Sequence, residues 1–471
     1  MKVFLFWPDP ENDLSVLISN LNKTHEVIYV AGIDDAKEKV PSEIIFHSHN
    51  NALDGLPADG IDVSNFEPPS KDLIQKMYHA ESIILTMMNK HYDSMYVDER
   101  RHQYYNMLQY WHGIIESRKP DAIIFSNIPH TIYDYLVYEL AKILGIKTII
   151  FNDTWVGERI LLYKNLWKGS CKLQQSLEEY NNKNIQIQDL PNDLKEYYKK
   201  HTSENHDSTP ISMKEWRCQY AFGKLIWRKI ELIFISIFDL SIFKKTILFI
   251  VRLPGGNIKK EYKNLEKKPD FSKQYVYATL NYQPEATTSP LGNIFVDQIL
   301  MIEILSYSLP KGWIIYLKEH PKQRMVRGYN YFASRYRGYY KRIAKLKNVQ
   351  LVPIETNTFE LTKKSQAVAT VTGTTGWEAV LRSKPVLIFG YPWYRDCPGL
   401  FRVDSPQSCK EVFNKIKNGL HANEQDVIRF LYCLDKASIN ASIETLSKRV
   451  HILSFEKNIN NISNAIINEL K

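Results

Sequence analysis

The segment from Thr372 to Gly376 contains the residues with the clearest chemical potential in this chain. A predicted strand ends here and leads directly into a predicted helix, whose first backbone N–H groups have no partner within the helix. The hydroxyls of Thr374 and Thr375 lie beside those N–H groups, and Gly373 lets the backbone approach a ligand closely. We therefore expect an anion site that fits a nucleotide phosphate. A tight strand–helix turn without a ligand is the alternative for this loop taken alone.

Three side chains nearby are expected to serve the same ligand. His320 follows a predicted strand that stops at Pro321, because proline cannot continue a β-ladder, and its imidazole beside Lys318 can donate to a phosphate. Glu378 is placed in the first turn of the predicted helix, where it could accept from a ribose hydroxyl or cap the helix. A lone His-Pro pair is more often structural, but two polar strand ends in one α/β unit favour a binding site.

The loop 281–290 adds further hydrogen-bonding side chains after the first strand of the same unit, and two prolines restrict its backbone. Gln283 and Glu285 are expected to reach the sugar or the base of the ligand. A capped turn before a helix that begins near Gly292 is the structural alternative.

In the first half of the chain, polar residues follow two predicted strands, at 126–130 and 151–159. A carboxylate at such a strand end can act as a general base or as a nucleophile in group transfer. Asp153 is the first candidate, followed by Glu158 and His130. Each of the three could equally be structural.

Short apolar strands alternate with helices in both halves of the chain, which favours two doubly wound, mainly parallel α/β units. Strands are predicted at 2–7, 26–30, 43–46, 122–125 and 148–151 in the first unit, and at 275–279, 313–318, 349–352, 367–371 and 385–389 in the second. Helices are predicted at 70–89, 98–117, 133–144, 294–308, 331–346, 358–364, 376–382, 408–417 and 455–470. The ligand crevice of the second unit should open at the carboxyl ends of its strands.

This pattern predicts four parts along the chain. They are an N-terminal acceptor-binding unit at 1–210, a basic amphipathic helical segment and linker at 211–265, a C-terminal nucleotide-sugar unit at 266–450, and a terminal helix at 451–471. Within the second part, residues 212–252 combine apolar clusters with basic and aromatic residues. Such a segment is typical either of a helix lying in a membrane interface or of two helices packed on the protein.

Composition narrows the classes of function. The 471 residues carry a formal net charge of +9, a modest excess that fits an anionic small molecule or an anionic membrane surface at least as well as nucleic acid. No nucleic-acid signature is present, so we expect no nucleic-acid partner. Five scattered cysteines favour a reducing cytoplasm, and no apolar stretch is long enough to span a bilayer. The absence of Walker, GxGxxG, HExxH and DxD motifs disfavours P-loop NTPases, zinc proteases and metal-dependent GT-A transferases.

The strand-end motifs resemble those of bacterial capsule-polysaccharide biosynthesis proteins. The resemblance rests on His320-Pro321, on GTTGWEAVLRSKPVLIFG at 373–390 with a following Trp-Tyr, and on QPEATTSP at 283–290. That group includes the capsule Kdo transferases and, more distantly, the GT-B bacterial sialyltransferases. The resemblance implies a GT-B fold, a CMP-activated ulosonic acid donor and no metal, with His320 and the Thr374–Thr375 pair holding the CMP phosphate.

The first unit is similar to this group only loosely. Asn152-Asp153 followed by Arg159 resembles the E-D-G-F-x-R segment of the Kdo transferases, whose Asp is catalytic, but the Glu, Gly and Phe are missing here. The resemblance therefore leaves open whether Asp153 acts as base, with inversion, or as covalent nucleophile, with retention. It also leaves open whether the donor carries Kdo, a sialic acid or another nonulosonic acid.

We accordingly expect a metal-independent glycosyltransferase of capsule or O-antigen synthesis that acts on a glycan or glycolipid acceptor. It would work in the cytoplasm, at the inner face of the cytoplasmic membrane if residues 212–252 bind lipid. One alternative is a GT-B transferase that uses a UDP- or GDP-sugar. Another is a non-catalytic membrane-surface scaffold of a polysaccharide assembly complex.

Overall fold

The computed structural model describes residues 1–8, 14–203, 258–283, 285–324, 335–443 and 453–471. Its strands are β1 (Lys2–Phe6), β2 (Glu26–Gly32), β3 (Ile45–Ser48), β4 (Ala122–Phe125), β5 (Lys147–Asp153), β6 (Arg159–Tyr163), β7 (Tyr275–Thr279), β8 (Ile314–Lys318), β9 (Val349–Leu351), β10 (Ala367–Thr370), β11 (Val386–Ile388), β12 (Leu400–Arg402) and β13 (Ile439–Asn440). The segment 212–252 lies outside the described residues.

The α-helices are α1 (Leu14–Leu21), α2 (His49–Asp54), α3 (Lys71–Lys76), α4 (Tyr78–Met87), α5 (Val97–Arg118), α6 (Tyr133–Ile143), α7 (Cys171–Glu179), α8 (Asn192–Thr202), α9 (Ile258–Leu265), α10 (Gln298–Ser308), α11 (Tyr339–Ala344), α12 (Thr358–Lys364), α13 (Thr374–Leu381), α14 (Pro406–Lys417), α15 (Glu424–Ala437) and α16 (Phe455–Leu470). Short 3₁₀ turns occupy Asp34–Lys39, Met88–Lys90, Ile187–Asp189, Asn293–Val296 and Pro321–Arg324.

The N-terminal sheet has the order β13-β6-β5-β4-β1-β2-β3. Strands β1 to β5 are parallel, β6 is antiparallel to β5, and β13 is antiparallel to β6. Successive residues of β1 alternate between two cores: Phe4 and Phe6 face α4, α5 and α6, whereas Val3 and Leu5 face α1 and α16. This two-sided burial explains why the strands of this unit are near-continuous apolar runs.

The C-terminal sheet has the order β12-β11-β10-β7-β8-β9, and every pair in it is parallel. The chain winds from β7 to β9 in one direction and then from β10 to β12 in the other. The order therefore reverses between β7 and β10, which is where a doubly wound sheet opens its ligand crevice. Two α/β sheets in one chain form the GT-B-like architecture that the sequence predicts.

The C-terminal part of the chain returns to the N-terminal sheet. Helix α15 packs on α7, β13 extends the sheet beside β6, and α16 packs on α1, as expected for a terminal helix that crosses back. The predicted boundary at residue 450 assigns β13 to the second unit. The strand with which β13 pairs, β6, belongs to the first unit. As a division into independently folding parts, the four predicted ranges stay a prediction.

Residues 258–265 differ from the expected linker because they form α9. Tyr262 is buried, and its hydroxyl donates to the Val352 carbonyl at 2.6 Å. The Glu261 carboxylate accepts from the backbone N–H groups of Gly338, Tyr340 and Lys341 at 2.9–3.1 Å, at the start of α11. The charged residues at 258–265 therefore belong to a packed helix. Glu261 accepts hydrogen bonds from backbone N–H groups at the start of α11, which have no partner within that helix.

Candidate active site at the strand ends

A chain of hydrogen bonds connects the ends of β7 and β10 at the reversal point of the C-terminal sheet. The Thr279 hydroxyl donates to that of Thr370 at 3.1 Å, and the Thr370 hydroxyl donates to Asn281 Oδ1 at 3.1 Å. Asn281 Nδ2 then donates to the Thr372 hydroxyl at 3.2 Å. The Gly373 N–H also donates to the Thr370 hydroxyl, at 3.0 Å. Side chains thus fix the loop backbone that leads into α13.

The residues of the predicted anion site at the start of α13 are of two kinds: some form the framework of hydrogen bonds within the protein, and others are accessible to solvent. The Thr372 hydroxyl donates to the Thr287 carbonyl and so belongs to the framework. Helix α13 begins at Thr374, one residue after Gly373, and no side chain caps its first turn. Thr374 is exposed and Thr375 is half-buried, so the start of α13 is accessible to solvent. An anion placed there would meet the positive end of the helix dipole.

Glu378 lies in the second turn of α13, not in the first as predicted. The helix begins two residues before the predicted start at 376, so the position that would complete a capping box is occupied by Gly376. Glu378 therefore does not cap the helix. The Glu378 side chain is mostly buried, and its carboxylate lies 3.9 Å from an Nη atom of Arg382, one turn further along the helix. Contact with a ribose hydroxyl stays a prediction.

His320 follows β8, beside Tyr282 at the end of β7, with the two ring centroids 5.8 Å apart. The Lys322 backbone N–H donates to His320 Nδ1 at 3.2 Å. Because Nδ1 accepts, the neutral ring carries its proton on Nε2. Burial lowers the pKa of His320 to about 4, so the ring is neutral at physiological pH. The imidazole can therefore offer one N–H donor, at Nε2, to a ligand.

Lys318 is directed along the same sheet edge to the loop before α12. Its Nζ donates to the Thr356 carbonyl at 2.6 Å and to the Thr358 hydroxyl at 2.9 Å. Burial lowers the pKa of this amine to about 8. The ammonium contributes positive potential to the crevice, while its hydrogen bonds hold the neighbouring loop. Direct contact with a donor stays a prediction.

Glu319 and Arg335 form a buried ion pair next to His320 that was not predicted from the sequence. Arg335 Nε donates to Glu319 Oε2 at 2.8 Å, and Tyr340 donates to the same oxygen at 2.6 Å. Glu319 Oε1 accepts from the His320 backbone N–H at 2.7 Å. The one local signal was Glu319 itself, a charged residue that directly continues a buried strand and therefore needs a partner. Nothing near Arg335 in sequence identified it as that partner.

The loop after β7 is tied to this ion pair. The Gln283 side chain accepts from Arg335 and donates to the Val296 carbonyl at 2.7 Å, so its amide contacts the protein on both sides. The Glu285 backbone carbonyl accepts from the Thr288 hydroxyl at 3.0 Å and belongs to the capped turn described as the alternative. The roles of both side chains toward a sugar or base stay predictions.

Asp153 ends β5 and begins the tight connection to β6. Its Oδ1 accepts from the Trp155 backbone N–H at 3.0 Å, and Asp153 is buried. This is the turn contact expected if the residue is structural. Glu158 lies in the same connection, and its Oε1 accepts from the Leu453 N–H at 2.9 Å, just before α16. Arg159 pairs with Asp193 and with Asp435 of α15, so it joins distant parts of the chain.

His130 follows β4, next to β1, where the strand order of the N-terminal sheet reverses. Its Nδ1 lies 2.6 Å from the Ile128 carbonyl oxygen, and the ring is half-buried. His130 and Asp153 thus follow adjacent parallel strands, whereas His320, the Thr372–Gly376 loop and the 281–290 loop follow three neighbouring strands of the other sheet.

Within the described ranges, no group of three His, Cys, Asp or Glu side chains is arranged to hold a metal ion. No helix in the same ranges has the length and apolar character needed to cross a bilayer.

Comparisons with solved structures give alignments of low identity over much of the chain. A KpsC β-Kdo 2,7-transferase structure from Thermosulfurimonas dismutans aligns over 99% of both chains, with 9% identity and a TM-score of 0.33. The KpsC β-Kdo 2,4-transferase structure from the same organism covers 66% of this chain and 79% of its own, with 12% identity and a TM-score of 0.28. The UDP-GlcNAc 2-epimerase of Methanocaldococcus jannaschii covers 92% and 99%, with 13% identity and a TM-score of 0.24. No curated protein matches the chain in sequence.

The sequence match lies in the C-terminal unit. Residues 296–434 fit the family model described as capsule polysaccharide biosynthesis protein. This range contains His320 and the Thr372–Gly376 loop, two of the motifs on which the resemblance was based. Over this segment the chain matches the capsule polysaccharide biosynthesis family, which confirms the resemblance inferred from its strand-end motifs.

Proposed function

We propose that this chain is a glycosyltransferase of bacterial capsule or O-antigen synthesis. It transfers an ulosonic acid (Kdo, a sialic acid or another nonulosonic acid) from a CMP-activated donor to a glycan or glycolipid acceptor, without a metal. The observation that carries the proposal is the crevice at the reversal point of the C-terminal sheet. The uncapped start of α13 follows β10, and a histidine whose tautomer offers Nε2–H follows β8, so both groups follow strands that neighbour β7.

The groups proposed to bind the CMP-sugar are those that can stabilise the charge of the leaving group. A CMP-sugar carries one phosphodiester charge, and the departing CMP gains a second negative charge on its phosphate. The first N–H groups of α13, the hydroxyls of Thr374 and Thr375, and His320 Nε2–H are donors suited to that charge. Lys318 adds positive potential at the same edge. Donors fixed before the reaction stabilise developing charge without reorganisation.

We assign the binding of the glycan or glycolipid acceptor to the N-terminal unit. Asp153 is the carboxylate proposed to lie at the reaction centre. Its position at the end of β5 agrees with such a role, and the connection to β6 holds its carboxyl group in one orientation. Glu158 is the weaker candidate, because its carboxylate already accepts from the Leu453 N–H.

The two competing functions differ in what they bind. A UDP- or GDP-sugar transferase would use a carboxylate such as Glu378 to hold hydroxyls of the donor. A scaffold without activity would bind no nucleotide at the crevice. The ordered hydrogen bonds from Thr279 to Gly373 favour a maintained site over a degenerate one.

The test is nucleotide-dependent stabilisation with CMP, UDP and GDP, followed by transfer from CMP-ulosonic acids. We expect CMP to raise the melting temperature most, and His320→Ala to weaken binding of a CMP-sugar by about 10- to 100-fold, the loss of one charge-assisted hydrogen bond of about 1.5–3 kcal/mol. His421→Ala, at an exposed position, is the matched control. Preference for UDP or GDP would establish the first competitor, and no response to any nucleotide would establish the second.

A further inference from the structure

The loop that follows β4 fixes the protonation of His130. Its Nδ1 lies 2.6 Å from the Ile128 carbonyl oxygen, which can only accept a hydrogen bond. Nδ1 therefore carries the proton, and Nε2 of the neutral ring holds a free lone pair. His130 is half-buried, so part of the residue is exposed to solvent.

His320 has the opposite tautomer. Its Nδ1 accepts from the Lys322 backbone N–H at 3.2 Å, so its proton lies on Nε2. The two strand-end histidines thus offer complementary chemistry: His130 accepts a proton at Nε2, and His320 donates a hydrogen bond from Nε2. A transfer reaction needs both, one at the attacking hydroxyl and one at the leaving group.

The surroundings of His130 hold its loop and include a negative charge. The Thr131 backbone N–H donates to Asp134 Oδ1 at 2.7 Å. His49 Nδ1 lies 2.7 Å from the Tyr133 hydroxyl oxygen, and burial lowers the pKa of His49 against the opposing effect of the Asp134 charge. Asp134 therefore holds the backbone directly after His130. Ile132 next to it has φ 62°, a conformation that β-branched residues avoid and that clusters at functional sites.

We propose that His130 Nε2 is the atom that takes the proton from the acceptor hydroxyl, an inference that rests on the proposed glycosyltransferase function. The acceptor oxygen forms its bond to the anomeric carbon while its proton moves to Nε2. The bond from that carbon to the leaving oxygen breaks, and its electron pair stays on that oxygen, whether it belongs to CMP or to an Asp153 adduct. The imidazolium then releases the proton to solvent. Asp153 keeps a role through its charge or as nucleophile.

The His130→Asn variant removes the proposed base, Nε2, and can keep the hydrogen bond to the Ile128 carbonyl. The asparagine amide N–H can replace Nδ1–H at the Ile128 carbonyl, but it places no basic atom where Nε2 was. We expect CMP affinity and melting temperature to stay at wild-type values while transfer falls by at least about 100-fold. Transfer is counted per CMP-binding site, so a partly unfolded sample still gives an interpretable rate.

His421→Asn is the matched control, because His421 is exposed, and it should transfer at the wild-type rate. Transfer by His130→Asn within a few-fold of wild type would overturn the inference and leave the proposed function intact. A wild-type protein that binds CMP-sugars but transfers none would instead overturn the proposed function itself.

Discussion

At the scale of single residues, the position of Asp153 is compatible with two roles, one as a structural turn residue and one in catalysis. Its Oδ1 accepts from the Trp155 N–H, as a turn residue does, and it also ends a strand at the edge where His130 lies. The turn requires an oxygen acceptor, which asparagine also supplies. Catalysis requires the negative charge. The two requirements can therefore be separated by one substitution.

Asp153→Asn should keep the turn and remove the charge. We expect CMP-sugar binding to survive, because it depends on the other unit, and transfer to fall by about 100-fold or more. Binding by titration and transfer by product assay on the same preparation measure both. The control is Asp62→Asn, because Asp62 Oδ1 accepts from the Ser64 backbone N–H in an exposed turn of the same kind, and it should stay active. An Asp153→Asn protein within a few-fold of wild type would end the catalytic assignment of this carboxylate.

At the scale of elements, the position of α13 depends on Gly376. A Cβ atom there would lie 2.6 Å from the Tyr394 hydroxyl oxygen and 3.0 Å from Thr370 Cγ2. The helix start can approach the end of β10 only because this side chain is absent. The Tyr394 hydroxyl in turn donates to the Gly373 carbonyl at 2.5 Å, so the same tyrosine holds the anion loop.

Gly376→Ala should therefore destabilise the protein by about 1–3 kcal/mol, since the helix must move away from the sheet. Tyr394→Phe alone should cost about 0.5–1.5 kcal/mol through the lost hydrogen bond. In the double variant the clashing oxygen is gone, so the combined loss should be smaller than the sum. Urea denaturation of the four proteins measures this coupling. Strictly additive losses would mean that Tyr394 does not limit the approach of α13.

At the scale of the whole molecule, side chains from distant parts of the chain join the N-terminal unit to α15. Arg159 pairs with Asp193 at 2.5 Å and with Asp435 at 2.6 Å, and the Tyr198 hydroxyl donates to Glu424 at 3.0 Å. Helix α15 thus fixes the first unit to the chain that leaves the second. The arginine that resembles a residue of the Kdo-transferase segment serves this assembly.

The segment 212–252 lies outside the described residues, and its sequence supports a prediction about the whole protein. If it lies on an anionic bilayer, the protein should sediment with acidic vesicles and be released by salt, which screens the attraction. Lys244→Gln/Lys245→Gln should weaken binding, because each basic residue near the surface contributes about 1 kcal/mol. Neutral vesicles are the control. Equal recovery in the supernatant with and without acidic vesicles would favour two helices packed on the protein.

The sequence by itself determined the elements and the strand ends at which polar residues lie. Strands β4 and β7 and helices α12 and α16 have the predicted bounds, because apolar runs of period two and apolar stripes of helical period are local properties of the chain. The three polar segments of the C-terminal unit follow neighbouring strands, as expected for a parallel sheet. The antiparallel strands β6 and β13 were missed. Strand β13 has two residues and pairs with β6, which lies far earlier in the chain. Strand β6 forms a hairpin with β5, and its start at Arg159 falls in the segment that was interpreted only as a polar strand end.

Only the tertiary structure decided what each polar group is used for. Gln283 contacts Arg335, 52 residues away, and Glu319 is neutralised by the same guanidinium, so their roles depend on contacts that no local pattern encodes. The tautomers of His130 and His320 follow from single backbone groups, a carbonyl in one case and an N–H in the other. Residue type and spacing indicate which chemistry is available, but hydrogen-bond geometry determines which atom donates and which accepts.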